Sequence, residues 1–177
     1  MQTRRHLFLI GFMGCGKSYW GRKLAESLGA PFIDLDELIV AMVGKSIPEI
    51  FTSEGEVAFR KYETQALHEL EELSTPTIIA AGGGTPCFGT NMAIMQDLGH
   101  TVYLQTAPPL LLERLMPERE QRPLLAALEH EDMQAFLSER LVLREPFYLQ
   151  AAYVLQQLNG NENLLPELTR IFQTPPL

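Results

Sequence analysis

The octet Gly11-Phe12-Met13-Gly14-Cys15-Gly16-Lys17-Ser18 combines residue types that together bind phosphate. It fits G-x-x-x-x-G-K-[ST], the P-loop pattern. Glycines let the main chain curl until several N–H groups face one anion. A helix that starts directly after the loop adds its positive end. In this pattern the lysine, here Lys17, reaches the β- and γ-phosphates, and the hydroxyl, here Ser18, binds Mg²⁺. The competing reading is a structural glycine turn.

The flanks favour phosphate. His6-Leu7-Phe8-Leu9-Ile10 reads as a short buried strand, and Tyr19 to Leu28 as a helix ended by Gly29. Strand, glycine loop and helix is the context that the pattern requires. Pro31-Phe32-Ile33-Asp34-Leu35-Asp36 reads as a second strand ending in two carboxylates, followed by a helix over Asp36–Val43 that stops at Gly44. Two residues apart on extended backbone, Asp34 and Asp36 share a face. The carboxyl ends of strands in an open α/β sheet are where ligands bind, so both are expected beside the loop. The alternative makes Asp36 a helix N-cap and Asp34 a turn residue. Thr77 to Ala81 reads as a third strand, closed by Gly82-Gly83-Gly84. Three glycines there suit close approach of a ligand to the main chain, or else a flexible connector.

The remaining elements must position these groups. Ser46 and Glu49 form a capping-box pair, and a helix from about Gly55 carries an apolar stripe of Val57, Tyr62, Ala66, Leu70 and Leu73. On that helix, Arg60 and Lys61 read equally well as surface charges. Asn91 to Leu98 predicts a helix ended by Gly99, then a strand over Thr101–Leu104 and a helix over Pro108–Met116. The polar stretch from Pro117 to about Glu131 reads as an excursion over the site with Arg122 as its tool, or as a plain surface loop. A helix from Asp132 to about Leu143 follows, and Pro146 closes or kinks it. Arg140 and Arg144, four apart, share a helical face. Ala152 to Leu155 gives a fifth strand and Asn163 to Phe172 a last helix. This alternation predicts an α/β fold: a three-layer α/β/α arrangement with a five-stranded parallel sheet.

With 177 residues, 46% hydrophobic and 20% charged, the chain has globular composition and length for one domain. No signal peptide is read at its start, and no apolar run approaches the ~20 residues of a membrane span. Cys15 and Cys87 have no zinc-like spacing, and the cytoplasm is the expected compartment. A net charge of −8 argues against nucleic acid. Positive charge for phosphate must therefore be gathered locally, and arginine outnumbers lysine ten to four. Arginine's planar fork suits carboxylate and phosphate. His6, His68, His100 and His130 share no spacing and read as structural or surface residues, and Trp20 reads as core.

In order, the chain shows Gly-x-x-Gly-x-Gly-Lys-Ser, Phe-x-Asp-x-Asp, Phe-Arg-x-x-Glu, Gly-Gly-Gly, Arg-Pro-Leu-Leu and Arg-x-Pro-x-Tyr. This set resembles the shikimate kinases, from Ile10 to about Val154. The resemblance implies a single P-loop NTPase-type domain over 1–177, with a mobile lid at about 117–131 and a shikimate-binding helical region at about 34–62. It implies ATP-dependent phosphorylation of the shikimate 3-hydroxyl, giving shikimate 3-phosphate and ADP, in chorismate and aromatic amino-acid biosynthesis. It implies that Lys17, Asp36 and Arg122 are catalytic. It assigns ATP to Gly14, Cys15, Gly16, Lys17, Ser18, Tyr19 and Arg122. Shikimate falls to Asp36, Arg60, Gly82, Gly83, Gly84 and Arg144, and Mg²⁺ to Ser18 and Asp34, the latter through water. Arg114 falls near the adenine, although its spacing to Arg122 is one residue longer than usual. Ala81 and Thr85-Pro86-Cys87-Phe88 depart from the common pattern without removing a catalytic side chain. A monomer is expected, with no nucleic-acid or membrane partner. The alternatives are another small-molecule kinase, for gluconate or a nucleoside phosphate, and a nucleotide-binding switch without metabolic chemistry.

Overall fold

The computed structural model describes residues 6–121, 125 and 128–175. Among them, five strands form one parallel sheet: β1 (His6–Ile10), β2 (Phe32–Asp34), β3 (Ile78–Ala80), β4 (Gly99–Thr106) and β5 (Tyr153–Gln157), in the order β2-β3-β1-β4-β5. The central strands read as near-continuous apolar runs because helices cover both faces. Leu7, Phe8, Leu9 and Ile10 are fully buried, as are Ile78, Ile79, Val102 and Leu104. The α/β fold with a five-stranded parallel sheet is therefore as the alternation implied.

Eight α-helices connect and cover the strands among the described residues. They are α1 (Lys17–Leu28), α2 (Leu35–Val43), α3 (Ile47–Ser53), α4 (Gly55–Glu69), α5 (Asn91–Leu98), α6 (Pro108–Leu115), α7 (His130–Tyr148) and α8 (Leu165–Gln173). Their ends follow the local sequence. Gly29 (φ 62°) stops α1 in the left-handed region, and its N–H caps the last carbonyls. Ser46 and Glu49 cap α3 reciprocally: the Ser46 Oγ accepts from the Glu49 N–H, and the Ser46 N–H donates to Glu49 Oε2 at 2.7 Å.

Four elements differ from the sequence expectation, each for a local reason. β2 ends at Asp34 and α2 begins at Leu35, one residue ahead of the expected helix start at Asp36, so Asp36 belongs to the first helical turn and not to the end of the strand as well. Asp34 is the N-cap there, its Oδ1 accepting from the Asp36 N–H at 3.1 Å. Of the stripe expected on α4, Ala66 and Leu70 are buried and Tyr62 packs on the core, while Val57 is 67% exposed and Leu73 is also exposed. The buried side is rotated from the apolar reading to include Phe59, Leu67 and the carboxylate of Glu63. Gly99 ends α5 as expected but also opens β4, two residues ahead of the expected Thr101, on extended backbone where a Cβ would collide with the His6 main chain. α7 continues through Pro146 to Tyr148. Its last turn is held by the fully buried Tyr148, whose hydroxyl donates to the Gly83 carbonyl at 2.5 Å.

Residues 122–124, 126 and 127 of the expected lid, Arg122 among them, lie outside the described residues. Leu125 within it is buried. No helix among the described residues is long and apolar enough to cross a membrane.

The capping box lies on exposed surface away from the glycine loops, so its role is confined to stability. Ser46→Ala is expected to lower the unfolding free energy by about 1 kcal/mol. Urea denaturation checks this, and an unchanged midpoint would remove the box from the folding of α3.

Candidate active site

The loop between β1 and α1 takes its shape from three glycines with positive φ: Gly11 at 141°, Gly14 at 80° and Gly16 at 92°. Side-chain-bearing residues are strained in such conformations. Lys17 is the first residue of α1, and its Nζ donates to the carbonyls of Gly11 (2.9 Å) and Phe12 (3.0 Å). The ammonium is thus held over the loop, at the helix end where anions are favoured. One residue on, Ser18 Oγ donates to Asp34 Oδ2 at 2.6 Å.

A cavity of about 810 Å³ runs past this loop. One end is bounded by Lys17, Ser18, Asp34, Asp36, Gly82 and Gly83, and the other by Trp20, Arg114, Gly160, Glu162 and Asn163. Tyr19 lines the same wall, 61% exposed, its ring edge-on to Trp20 with centroids 5.1 Å apart.

The triple glycine lets three charged side chains close on one point. A Cβ built on Gly84 would lie 2.7 Å from Arg60 Cζ. One on Gly83 would stand 3.5 Å from Arg144 Nη1, and one on Gly82 would stand 3.2 Å from Asp36 Oδ1. Arg60, Arg144 and Asp36 therefore converge, although they come from α4, α7 and α2. Close packing of charged groups explains the glycines better than a flexible connector does.

Neighbouring side chains hold the two arginines. Arg60 Nη1 donates to Glu63 Oε2 at 2.7 Å, and its Nη2 to Glu56 Oε1 at 3.0 Å. Glu63 is completely buried, and its other oxygen accepts from Thr85 Oγ1 at 2.5 Å. Burial opposes the charge on Arg60, but Glu63 and Glu56 outweigh it and hold the guanidinium above its ordinary pKa. Arg144 lies over the Phe12 ring, its Cζ 5.5 Å from the centroid. Tyr148 ties the glycine turn to the same helix, and its own hydroxyl is pushed far up, chiefly by burial. Arg140 does not join Arg144 in the site: it is exposed, over Phe136 on its own helix.

Asp36 lines the cavity and is exposed on that side, while surrounding protein atoms crowd its carboxyl. Its carboxyl is pushed up from 3.8 to about 6 by that burial first, then by the negative charges of Asp34 and Glu63. Lys17 and Arg60 pull the other way. A carboxyl in this range releases and takes up protons near neutral pH.

Ser18 and Asp34 offer a hydroxyl and a carboxylate side by side. These are hard oxygen donors, and among the described residues no cluster of three or more His, Cys, Asp or Glu could hold a metal ion. Such a sparse set fits Mg²⁺, which takes one or two protein ligands and completes its shell with water and substrate phosphates.

The sequence left several residues without a role. Glu63 and Tyr148 were visible only as letters in motifs; their burial places one under Arg60 and the other behind Gly83. Trp20 is buried as expected, but it also lines the cavity. Gln157 gave no signal, because nothing in Gln156-Gln157 says which one turns inward. Arg114 bears on the loop itself, its Nη1 donating to the Gly14 carbonyl at 3.2 Å. Gly14, Cys15 and Gly16 form the loop's main chain, with Cys15 fully buried.

A glycine loop with its lysine and a poised carboxyl on one cavity, with a pair of arginines against the adjoining triple glycine, define a P-loop phosphotransferase with an anionic acceptor. The chain belongs to the shikimate kinase family, whose model matches residues 13–171. Shikimate kinase of Azobacteroides pseudotrichonymphae is 42% identical over 169 residues, covering 93% of this chain and 99% of that one. The crystal structure of shikimate kinase from Bacteroides thetaiotaomicron superposes with a TM-score of 0.85 at 38% identity, covering 94% of this chain and 95% of that one. Shikimate kinase from Acinetobacter baumannii in complex with shikimate gives a TM-score of 0.80 at 36% identity, over 96% of this chain and 90% of that one.

Because the folded value for Asp36 lies above its ordinary one, ionising this group opposes folding as pH rises from about 4 through about 6. Asp36→Asn should therefore raise the melting temperature at pH 8 and leave it unchanged at pH 4. The Asp36 ¹³C carboxyl resonance, assigned by its loss in that variant, should titrate near pH 6. A midpoint near 4 would show that the pocket does not perturb it.

Proposed function

We propose that this chain transfers the γ-phosphoryl group of ATP to the 3-hydroxyl of shikimate, giving shikimate 3-phosphate and ADP. The observation that carries this reading is the convergence of Asp36, Arg60 and Arg144 on Gly82–Gly84, at the end of the cavity that also holds Lys17. Family membership supports it over gluconate or nucleoside-phosphate chemistry.

In this reading the main chain of Gly14, Cys15 and Gly16 and the Lys17 ammonium hold the phosphates, with Tyr19 alongside. Ser18 and Asp34 would hold Mg²⁺, which would neutralise phosphate charge as the transfer proceeds. Arg60 and Arg144 clamp the shikimate carboxylate; guanidinium forks suit a planar anion. The glycines admit the ring hydroxyls against the main chain. The 3-hydroxyl oxygen bonds to the γ-phosphorus, the bond from that phosphorus to the β–γ bridging oxygen breaks, and the hydroxyl proton passes to Asp36. With a value near 6, Asp36 is mostly ionised at neutral pH yet basic enough to take that proton. Lys17 faces the charge that develops on the transferred group.

The whole chain forms one kinase domain, with a lid at about 117–131 that brings Arg122 over the phosphates and excludes water. Residues 34–62 supply the acceptor side. The protein works as a cytoplasmic monomer in chorismate and aromatic amino-acid biosynthesis.

ADP release should be stimulated by shikimate and not by gluconate, quinate or nucleoside monophosphates. Asp36→Asn should reduce shikimate-dependent turnover by at least about a hundredfold, the low end of general-base contributions, with ATP affinity retained. A panel in which gluconate or a nucleotide is the better acceptor would assign the site to a different substrate. Near-normal turnover of the variant would take Asp36 out of the proton transfer.

A further inference from the structure

Gln157, the last residue of β5, is 1% exposed and lies under the nucleotide side of the cavity. Its amide makes four hydrogen bonds. Nε2 donates to the Cys15 carbonyl at 2.8 Å and to Thr106 Oγ1 at 2.9 Å. Oε1 accepts from Trp20 Nε1 at 3.4 Å and from Arg114 Nη2 at 3.3 Å. A side-chain amide has two N–H donors and two oxygen lone pairs, so its capacity is filled.

The orientation of this amide is fixed by chemistry. Indole N–H and guanidinium are donors only, and the Cys15 carbonyl is an acceptor only. Turning the amide over would set donor against donor and acceptor against acceptor. A glutamate in the same place would keep the contacts to Trp20 and Arg114 but would press a carboxylate oxygen against the Cys15 carbonyl.

The four partners come from separate parts of the chain. Cys15 is in the phosphate loop, Trp20 on α1, Arg114 on α6 and Thr106 at the end of β4. Two of them bear on the loop a second time. Arg114 Nη1 donates to the Gly14 carbonyl, and a Cβ on Gly16 would stand 3.2 Å from Trp20 Cδ1. Gly14, Cys15 and Gly16 are thus each braced, directly or at one remove, by a single buried amide. An unpaired buried polar group is costly, and removing the amide takes one partner from each of four groups at once, although Arg114 keeps the Gly14 carbonyl and Thr106 the Leu104 carbonyl.

We infer that Gln157 is a positioning residue for the nucleotide: it holds the phosphate loop in its curled shape and sets Trp20 and Arg114 along the adjoining wall. It touches neither the acceptor end nor the reacting atoms. The inference rests on the reading of the loop as a nucleotide-phosphate site but not on the identity of the acceptor.

Trp20 is the sole tryptophan of the chain, so its emission reports on the brace directly. The test titrates Mg²⁺ with ADP into the full chain by Trp20 fluorescence and measures KM for ATP and for shikimate. Gln157→Met keeps the length and removes the hydrogen bonds. It should weaken ADP about tenfold and raise KM for ATP similarly, with KM for shikimate within twofold and the Trp20 emission maximum shifted. Gln157→Glu should weaken ADP to a similar extent while emission stays at the wild-type wavelength, because the indole keeps its acceptor. ADP affinity and KM for ATP within twofold of wild type in a folded Gln157→Met protein would overturn the inference. So would equal losses at both substrates, the mark of general disruption. Should Gln157→Met fail to fold, wild-type ADP affinity in Gln157→Glu overturns it alone. ADP binding requires no acceptor, so failure of shikimate as substrate and failure of the brace give separate signatures.

Discussion

The register between β1 and β3 is the constraint on which the site depends. Leu9 pairs with Ala80, and the Ala81 N–H donates to the Leu9 carbonyl at 3.0 Å, so both strands end at the same level. The two glycine-bearing segments that follow are therefore side by side. A Cβ on Gly83 would lie 3.6 Å from both the Gly11 oxygen and the Met13 nitrogen. Phosphoryl transfer demands that donor and acceptor be held in line and close, and contributes little covalent work for the protein to do. Parallel pairing sets that proximity in the backbone, before any side chain acts.

Charge is then concentrated against the character of the whole molecule. The chain carries −8 overall, yet Lys17, Arg60 and Arg144 gather at the carboxyl ends of the central strands. Carboxylates make this arrangement tolerable. Glu63 is buried beneath Arg60, and a buried arginine without such a partner would be strongly unfavourable. Glu63, after burial and Asp34, also raises the proton affinity of Asp36. Structural ion pairing and the poised base are thus consequences of one cluster. Burial is the largest influence on Asp36, so the shape of the crevice matters as much as its charges.

Much of this was legible in the sequence because short-range rules carried it. Glycine spacing, helix stops and the Ser46–Glu49 cap are local, and the structure keeps them. The alternation of strand and helix gave the fold for the same reason. What escaped was set by tertiary contacts. The start of α2 moved ahead by one residue, to Leu35, because Asp34 takes the cap. The rotation of α4 could not be read from hydrophobicity, because its inward face includes a carboxylate. Gln157 depends on partners from four distant segments, and no local pattern marks it. Pro146 misled in the other direction: the burial of Tyr148 keeps its helix going.

The central claim is that one acceptor is grasped by groups from three helices beside the phosphate loop. A crystal structure of the protein with ADP and shikimate tests it most directly. The account predicts a single shikimate whose carboxylate contacts both Arg60 and Arg144, and whose 3-hydroxyl lies within hydrogen-bond distance of the Asp36 carboxyl. A shikimate seated away from Gly82–Gly84, or held there with its carboxylate touching neither arginine, would contradict it.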